Sequence, residues 1–176
     1  GETPRYTAAM KLIFIRHGRA TERSLLTLTS KRDQARPLTD AGRKDMRKAA
    51  KGLRKIAPDI DVLASSALIR ARQTAEIVRR VFGCKEILTV APLAPGSAPE
   101  KLLGWLDTQP EDATIALVGH EPDFSRTTAW LLTESASSFL SYKKGGASLI
   151  EFEGRVVPGR GQLVWLMTSS QLRRLG

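Results

Sequence analysis

The chain has 176 residues, 41% of them hydrophobic, enough for one domain with a sizeable core. No apolar run reaches the roughly 18–20 residues that a membrane-spanning helix needs, and a single cysteine, Cys84, excludes an internal disulfide and any multi-cysteine zinc site. Lysine and arginine total 28 against 18 aspartate and glutamate, a formal net charge of +10, so anionic partners are to be expected: phosphates, phosphoproteins, nucleic acid or acidic lipid.

Residues 1–9, GETPRYTAA, lack the apolar segment of a signal peptide and read as a loose tail or an expression scar ahead of one domain at 10–176. A reducing cytoplasm suits the lone thiol. KLIFIR (11–16) reads as a buried strand. In GRKDMRKAAKGLRKI (42–56), Arg43, Arg47, Lys51 and Lys55 recur every four residues, opposite Met46, Ala49, Ala50 and Leu53. That spacing predicts a basic amphipathic helix near 40–56, with Thr39 or Asp40 as its N-cap. Its charged face reads first as solvated surface and second as a dock for an acidic partner.

A strand at 61–66 (DVLASS) leads to a helix near 67–82 with Ser66 as N-cap. Cys84, just after Gly83, reads as a small buried hydrophobe. There follow a strand at 86–90, a helix near 98–108, a strand at 114–119 and a helix near 122–133, with Pro99 and Pro122 suited to first-turn positions. The serine-rich 134–138 and the pair Gly145–Gly146 read as surface loops. Runs at 147–152 and 162–168, joined through EGRVVPGRG, read as a hairpin. Trp105, Trp130 and Trp165 read as core or groove lining. Short, nearly continuous apolar strands alternating with helices predict an α/β three-layer sandwich with a mostly parallel central sheet.

The chain has only two histidines, and their settings match: His17 ends LIFIRHG and His120 ends TIALVGHEP. On parallel strands both emerge at the carboxyl edge, where open α/β sheets place their ligands. Arg70 falls in or near the first turn of the helix after 61–66, where a cation opposes the positive end of the helix dipole unless an anion offsets it. Arg72 competes with it but faces another way. Arginine forks bind phosphoryl oxygens in pairs, a neutral imidazole attacks phosphorus, and a second imidazole donates to a phosphoryl oxygen or shuttles a proton. Arg16, His17, Arg70 and His120 together therefore point to phosphoryl transfer to His17. No zinc set, P-loop or dinucleotide fingerprint occurs.

RHG at a strand end, S-x-x-x-R-A-x-Q-T-A from Ser66 to Ala75, and GH after a later strand resemble the histidine phosphatase superfamily. RPLTDAGR (36–43), GHEPDFS (119–125) and the lack of a cap between 71 and 119 resemble its small SixA-type phosphohistidine phosphatases. The resemblance implies a phosphoglycerate mutase-like fold without a cap domain, no cofactor and no metal. It implies His17 as the residue phosphorylated, and Arg16, Arg70 and His120 as the phosphate pocket. Gly18 would let the chain turn away from His17, its carbonyl could fix the ring tautomer, and Arg19 adds charge at the mouth. Many relatives carry an acid after the third strand, but VAPLAPGSAPEK (90–101) has no carboxylate before Glu100, and Glu121 is the other candidate.

The expected substrate is a phosphohistidine protein. The alternatives are a small-molecule phosphomonoesterase of the same superfamily and, in another class, a non-catalytic phosphate- or nucleic-acid-binding module. The basic face lacks the interleaved aromatics of single-strand binders, and no membrane partner is expected.

Overall fold

The computed structural model describes residues 9–22 and 30–176. Strands β1 (Ala9–Arg16), β2 (Val62–Ser65), β3 (Leu88–Thr89), β4 (Thr114–Gly119), β5 (Ala147–Glu153) and β6 (Gln162–Met167) form one sheet in the order β3-β2-β4-β1-β5-β6. The β1–β4, β2–β4 and β2–β3 pairs are parallel, whereas β5 runs antiparallel to both β1 and β6. The helices are α1 (Ser30–Gln34), α2 (Asp40–Ile56), α3 (Ile69–Phe82), α4 (Pro99–Leu106), α5 (Asp123–Thr133) and α6 (Ser169–Arg173).

The pleat of β1 divides the core in two. Met10, Leu12 and Phe14 join Phe124, Leu131, Leu102 and Leu106 on the side of α4 and α5. Ile13 and Ile15 join Met46, Ala50, Leu53, Ala71 and Val78 on the side of α2 and α3. Leu12, Ile13, Phe14 and Ile15 are fully buried, and each such side chain contributes roughly 1.5–3 kcal/mol relative to exposure. A strand clamped on both faces is a rigid mount for whatever follows it. The expected three-layer sandwich is thus found, with no cap domain among the described residues.

Several local expectations are corrected. β1 begins at Ala9, paired with Glu153, so the last residue assigned to the tail belongs to the sheet. β3 shrinks to two residues. Thr39 caps α2, accepting from Gly42 N at 2.9 Å, but Ser66 does not cap α3, whose N-cap is Leu68 without a side-chain bond. Pro99 opens α4 as expected, whereas Pro122 is the N-cap of α5 rather than a first-turn residue. Gly145 and Gly146 are buried, not a surface loop. The helix α6 was not foreseen, and it packs so tightly on α2 that a Cβ at Gly52 would lie 1.8 Å from Leu172 O.

The three tryptophans are half-buried against the two cores. Cys84 is only half-buried, and burial raises its thiol pKa.

Candidate active site

The ends of β1 and β4 lie side by side, with Arg16 in register with Gly119 and His17 N donating to Gly119 O at 3.1 Å. His17 and His120 therefore leave the same edge of the sheet, their ring centroids 5.2 Å apart. They line one cavity of about 370 Å³ together with Arg16, Arg70, Asp33 and Glu121. Five of these six are legible in the sequence, and Asp33 is not.

His17 is 6% exposed. Its Nδ1 lies 2.7 Å from Gly18 O, an acceptor only, so Nδ1 carries the proton and Nε2 keeps its lone pair. Burial pushes the His17 pKa down to about 4; the Gly18 carbonyl opposes this, and Arg70, Arg16 and Lys144 add to it. The ring is neutral at pH 7. Its backbone is fixed from the far end of the chain, because Gly145 N donates to His17 O at 3.0 Å and Arg16 N donates to Gly146 O at 3.0 Å. Gly18 N donates to Thr74 Oγ1 at 3.1 Å, and Thr74 Oγ1 donates to Arg70 O, tying the loop after His17 to α3. Gln73 Oε1 accepts from Leu38 N. These bonds give Gln73 and Thr74 of the RARQTA stretch a physical reason.

His120 Nε2 lies 2.7 Å from Ser66 Oγ. That hydroxyl already accepts from Leu68 N at 3.1 Å, so its own hydrogen is free for Nε2, which leaves the proton on Nδ1. Nδ1 is buried and without a partner among the described residues. A buried donor with nothing to bond is costly unless a ligand completes it. Burial pushes the His120 pKa to about 3, with His17, Arg70 and Arg16 adding to the effect and Asp33 opposing it.

Arg70 is the second residue of α3, close to the positive helix end, as its position in the sequence implied. Asp33 of α1 supplies the compensating charge: Arg70 NH1 donates to Asp33 O at 2.9 Å and NH2 lies 3.5 Å from its carboxylate, which Arg36 Nε also contacts at 2.9 Å. Arg72 is turned away onto Thr89. Arg16 NH1 donates to Tyr142 O at 2.8 Å, and its buried Nε has no partner among the described residues.

The two candidate acids separate. Glu100 is exposed in the first turn of α4 and does not line the cavity. Glu121 lines it, but its two oxygens accept from Ser125 N at 2.7 Å and Tyr142 N at 3.1 Å. Arg19 lines a neighbouring cleft instead of the cavity itself. Gly18 does not sit in the left-handed region that only glycine favours, and a Cβ there would have ordinary contacts of 3.5 Å or more. Its carbonyl, not its freedom to turn, is what the site uses.

Residues 12–94 match the histidine phosphatase superfamily (branch 1). An uncharacterized protein of Picosynechococcus sp. is 32% identical over 139 residues, 78% of this chain and 82% of that protein. The chain belongs to the histidine phosphatase superfamily. It is therefore a phosphatase, and its fold is that of the SixA structures. The protein histidine phosphatase SixA complexed with tungstate superimposes with a TM-score of 0.75 at 21% identity, covering 93% of this chain and 99% of that one. A Nakamurella multipartitia chain assigned to SixA gives 0.73 at 23% identity, covering 90% and 95%. A phosphoserine phosphatase variant from Entamoeba histolytica, in complex with phosphoserine, gives 0.67 at 20% identity, covering 93% and 99%.

Proposed function

We propose that this histidine phosphatase removes phosphoryl groups from phosphohistidine carried on proteins, through a covalent phosphohistidine formed on His17. The observation that carries the reading is the His17 ring: Nδ1–H is held by Gly18 O, so a neutral Nε2 with its lone pair is available. In the first step Nε2 attacks phosphorus, and the bond from phosphorus to the substrate nitrogen breaks. The leaving imidazole takes the electron pair and departs neutral when its remote nitrogen carries a proton. The positive charge that develops on the His17 ring rests against the Gly18 carbonyl. In the second step water attacks phosphorus, the pair returns to Nε2, and the water's proton passes to solvent.

Arg16 and Arg70 hold the phosphoryl oxygens, and His120 Nδ1–H donates to one of them, where charge reorganises during transfer. Neither step calls for a metal or an organic cofactor.

The choice of a nitrogen leaving group rests on the acids. An alkoxide needs a proton beside the bridging oxygen; Glu100 stands outside the cavity and Glu121 is engaged by two backbone donors. The likeness in fold to SixA supports the same substrate. One observation favours the second reading, a small-molecule phosphomonoesterase: Asp33 puts a carboxylate into the cavity beside Arg70. No helix of the described residues is long and apolar enough to cross a membrane, and a cytoplasmic setting belongs to the same proposal.

The test is kcat/KM for a phosphohistidine peptide, a sugar phosphate and p-nitrophenyl phosphate. The peptide should be turned over best, the aryl ester slowly and the sugar phosphate scarcely. Equal turnover of sugar phosphate and peptide overturns the substrate assignment, and a large loss of that ester activity in Asp33→Asn would then name the acid. Salt-sensitive duplex binding with no turnover would favour the non-catalytic module.

A further inference from the structure

Beside the catalytic cavity lies a second cleft, of about 290 Å³, of whose lining the chemistry above uses only Arg16 and Gly18. The two share Arg16 and Lys144. Arg19, Lys143 and Arg173 add three more cations to the second cleft, whose one carboxylate, Asp45, is already engaged by Arg173 at 3.3 Å. A third, wider cleft of about 590 Å³ continues from Asp45 and Arg173 along the outer face of α2, past Lys44, Arg47, Lys48 and Lys51. An unbroken run of cations thus leads from His17 to the basic face of α2. Like charges gathered round a concave surface repel one another and concentrate counter-ions there.

We infer that the second cleft is an anion subsite that receives the carboxylates of an acidic segment next to the phosphorylated residue of a protein substrate. This rests on the phosphohistidine-protein reading. A small anionic metabolite would need one pocket, whereas the cations continue past the second cleft from Lys44 to Lys51, about 10 Å along α2 at 1.5 Å per residue. The residues lining the second and third clefts include no aromatic side chain on which bases could stack.

The experiment compares the wild type with the double variant Arg19→Gln/Lys143→Gln, both positions being exposed on the rim. The probes are a phosphohistidine peptide flanked by aspartate and glutamate, its asparagine and glutamine counterpart, and p-nitrophenyl phosphate. The wild type should prefer the acidic peptide about tenfold in kcat/KM, through KM, and the variant should lose most of that preference while handling the other two probes within about twofold. Added salt of about 0.5 M should erase the preference as well. Equal use of both peptides by the wild type, or an equal loss on all three probes in the variant, overturns the inference. Displacement of the acidic peptide by duplex DNA at lower concentration than by an acidic peptide lacking phosphate assigns the cleft to nucleic acid and also overturns it. If the wild type turns over no phosphohistidine peptide, the substrate reading itself has failed. The cleft is then judged on phosphoserine, whose KM rises in the double variant if the cleft takes carboxylates and stays put if it does not.

Discussion

The two histidines leave neighbouring strands at the same height, yet their rings are held in opposite ways. His17 is oriented through Nδ1 by the carbonyl of the next residue, a bond that any amino acid at position 18 could supply. His120 is oriented through Nε2 by the hydroxyl of Ser66, a side chain from another strand end. The adjoining glycines differ too. A Cβ on Gly18 would meet nothing closer than 3.5 Å, whereas a Cβ on Gly119 would fall 2.7 Å from the ring of Phe124. The ring of His17 is set by backbone and has room beside it at position 18; the ring of His120 is set by a side chain and has none at position 119.

The contrast is broken most severely by removing the proposed nucleophile. His17→Ala should lower kcat by about a thousandfold or more and abolish an acid-labile phosphoenzyme, with vanadate still binding through the arginines. Next come Arg70→Ala and His120→Ala, each expected to lower kcat by roughly 10²–10³; an effect confined to KM would refute their part in the transition state. Ser66→Ala should cost about fivefold in kcat, since one hydrogen bond worth about 1 kcal/mol then no longer fixes the His120 tautomer. The ring ¹⁵N shifts of His120 should move in that variant while those of His17 stay. Gly119→Ala should destabilise the fold by about 1–3 kcal/mol as Phe124 is pushed aside, and Gly18→Ala should change kcat by less than about twofold. Equal tolerance at the two glycines would erase the distinction.

A smaller, graded effect is expected from pH. Because the His17 pKa lies near 4, kcat/KM for p-nitrophenyl phosphate should stay level down to about pH 5 and fall with a midpoint near 4 as the lone pair is protonated. Stability should follow the same histidines. Their folded pKa values, about 4 and about 3, lie below the ordinary 6.5, so the unfolded chain binds more protons at acidic pH. Their contribution is complete above about pH 6.5 and is lost progressively as pH falls towards those folded values. Thermal unfolding at pH 7 and pH 5 should show the drop, and it should shrink in His17→Gln.

Strand runs and the basic helix were legible because each is an unbroken local pattern: β4 occupies 114–119 and α2 ends at residue 56, as their periodicity implies. The shared edge of His17, His120, Arg16 and Arg70 was legible for the same reason, since each follows or begins an element of clear type. What failed depended on contacts distant in sequence. A serine before a helix has every local reason to be a cap, and only the fold brings His120 to Ser66. Gly145–Gly146 has the chemistry of a surface turn but is buried against the end of β1. Asp33 lies on a five-residue helix with no apolar stripe, so nothing local connects it with Arg70. Glu100 is the first carboxylate after the third strand and Glu121 adjoins His120, but nothing local shows that two backbone amides occupy Glu121.

The amide of Gly145, which reaches back to the carbonyls of Arg16 at 3.2 Å and His17 at 3.0 Å, has a consequence for the order of assembly. A chain being synthesised exposes Arg16, His17 and Gly18 well over a hundred residues before Gly145, which clamps their backbone, emerges. Until β5 pairs with β1, the apolar stretch Leu12–Ile15 is an open sheet edge, prone to join with other chains. A fragment ending before β5 therefore carries His17 without the Gly145 amide that fixes its backbone, and with one edge of β1 unpaired.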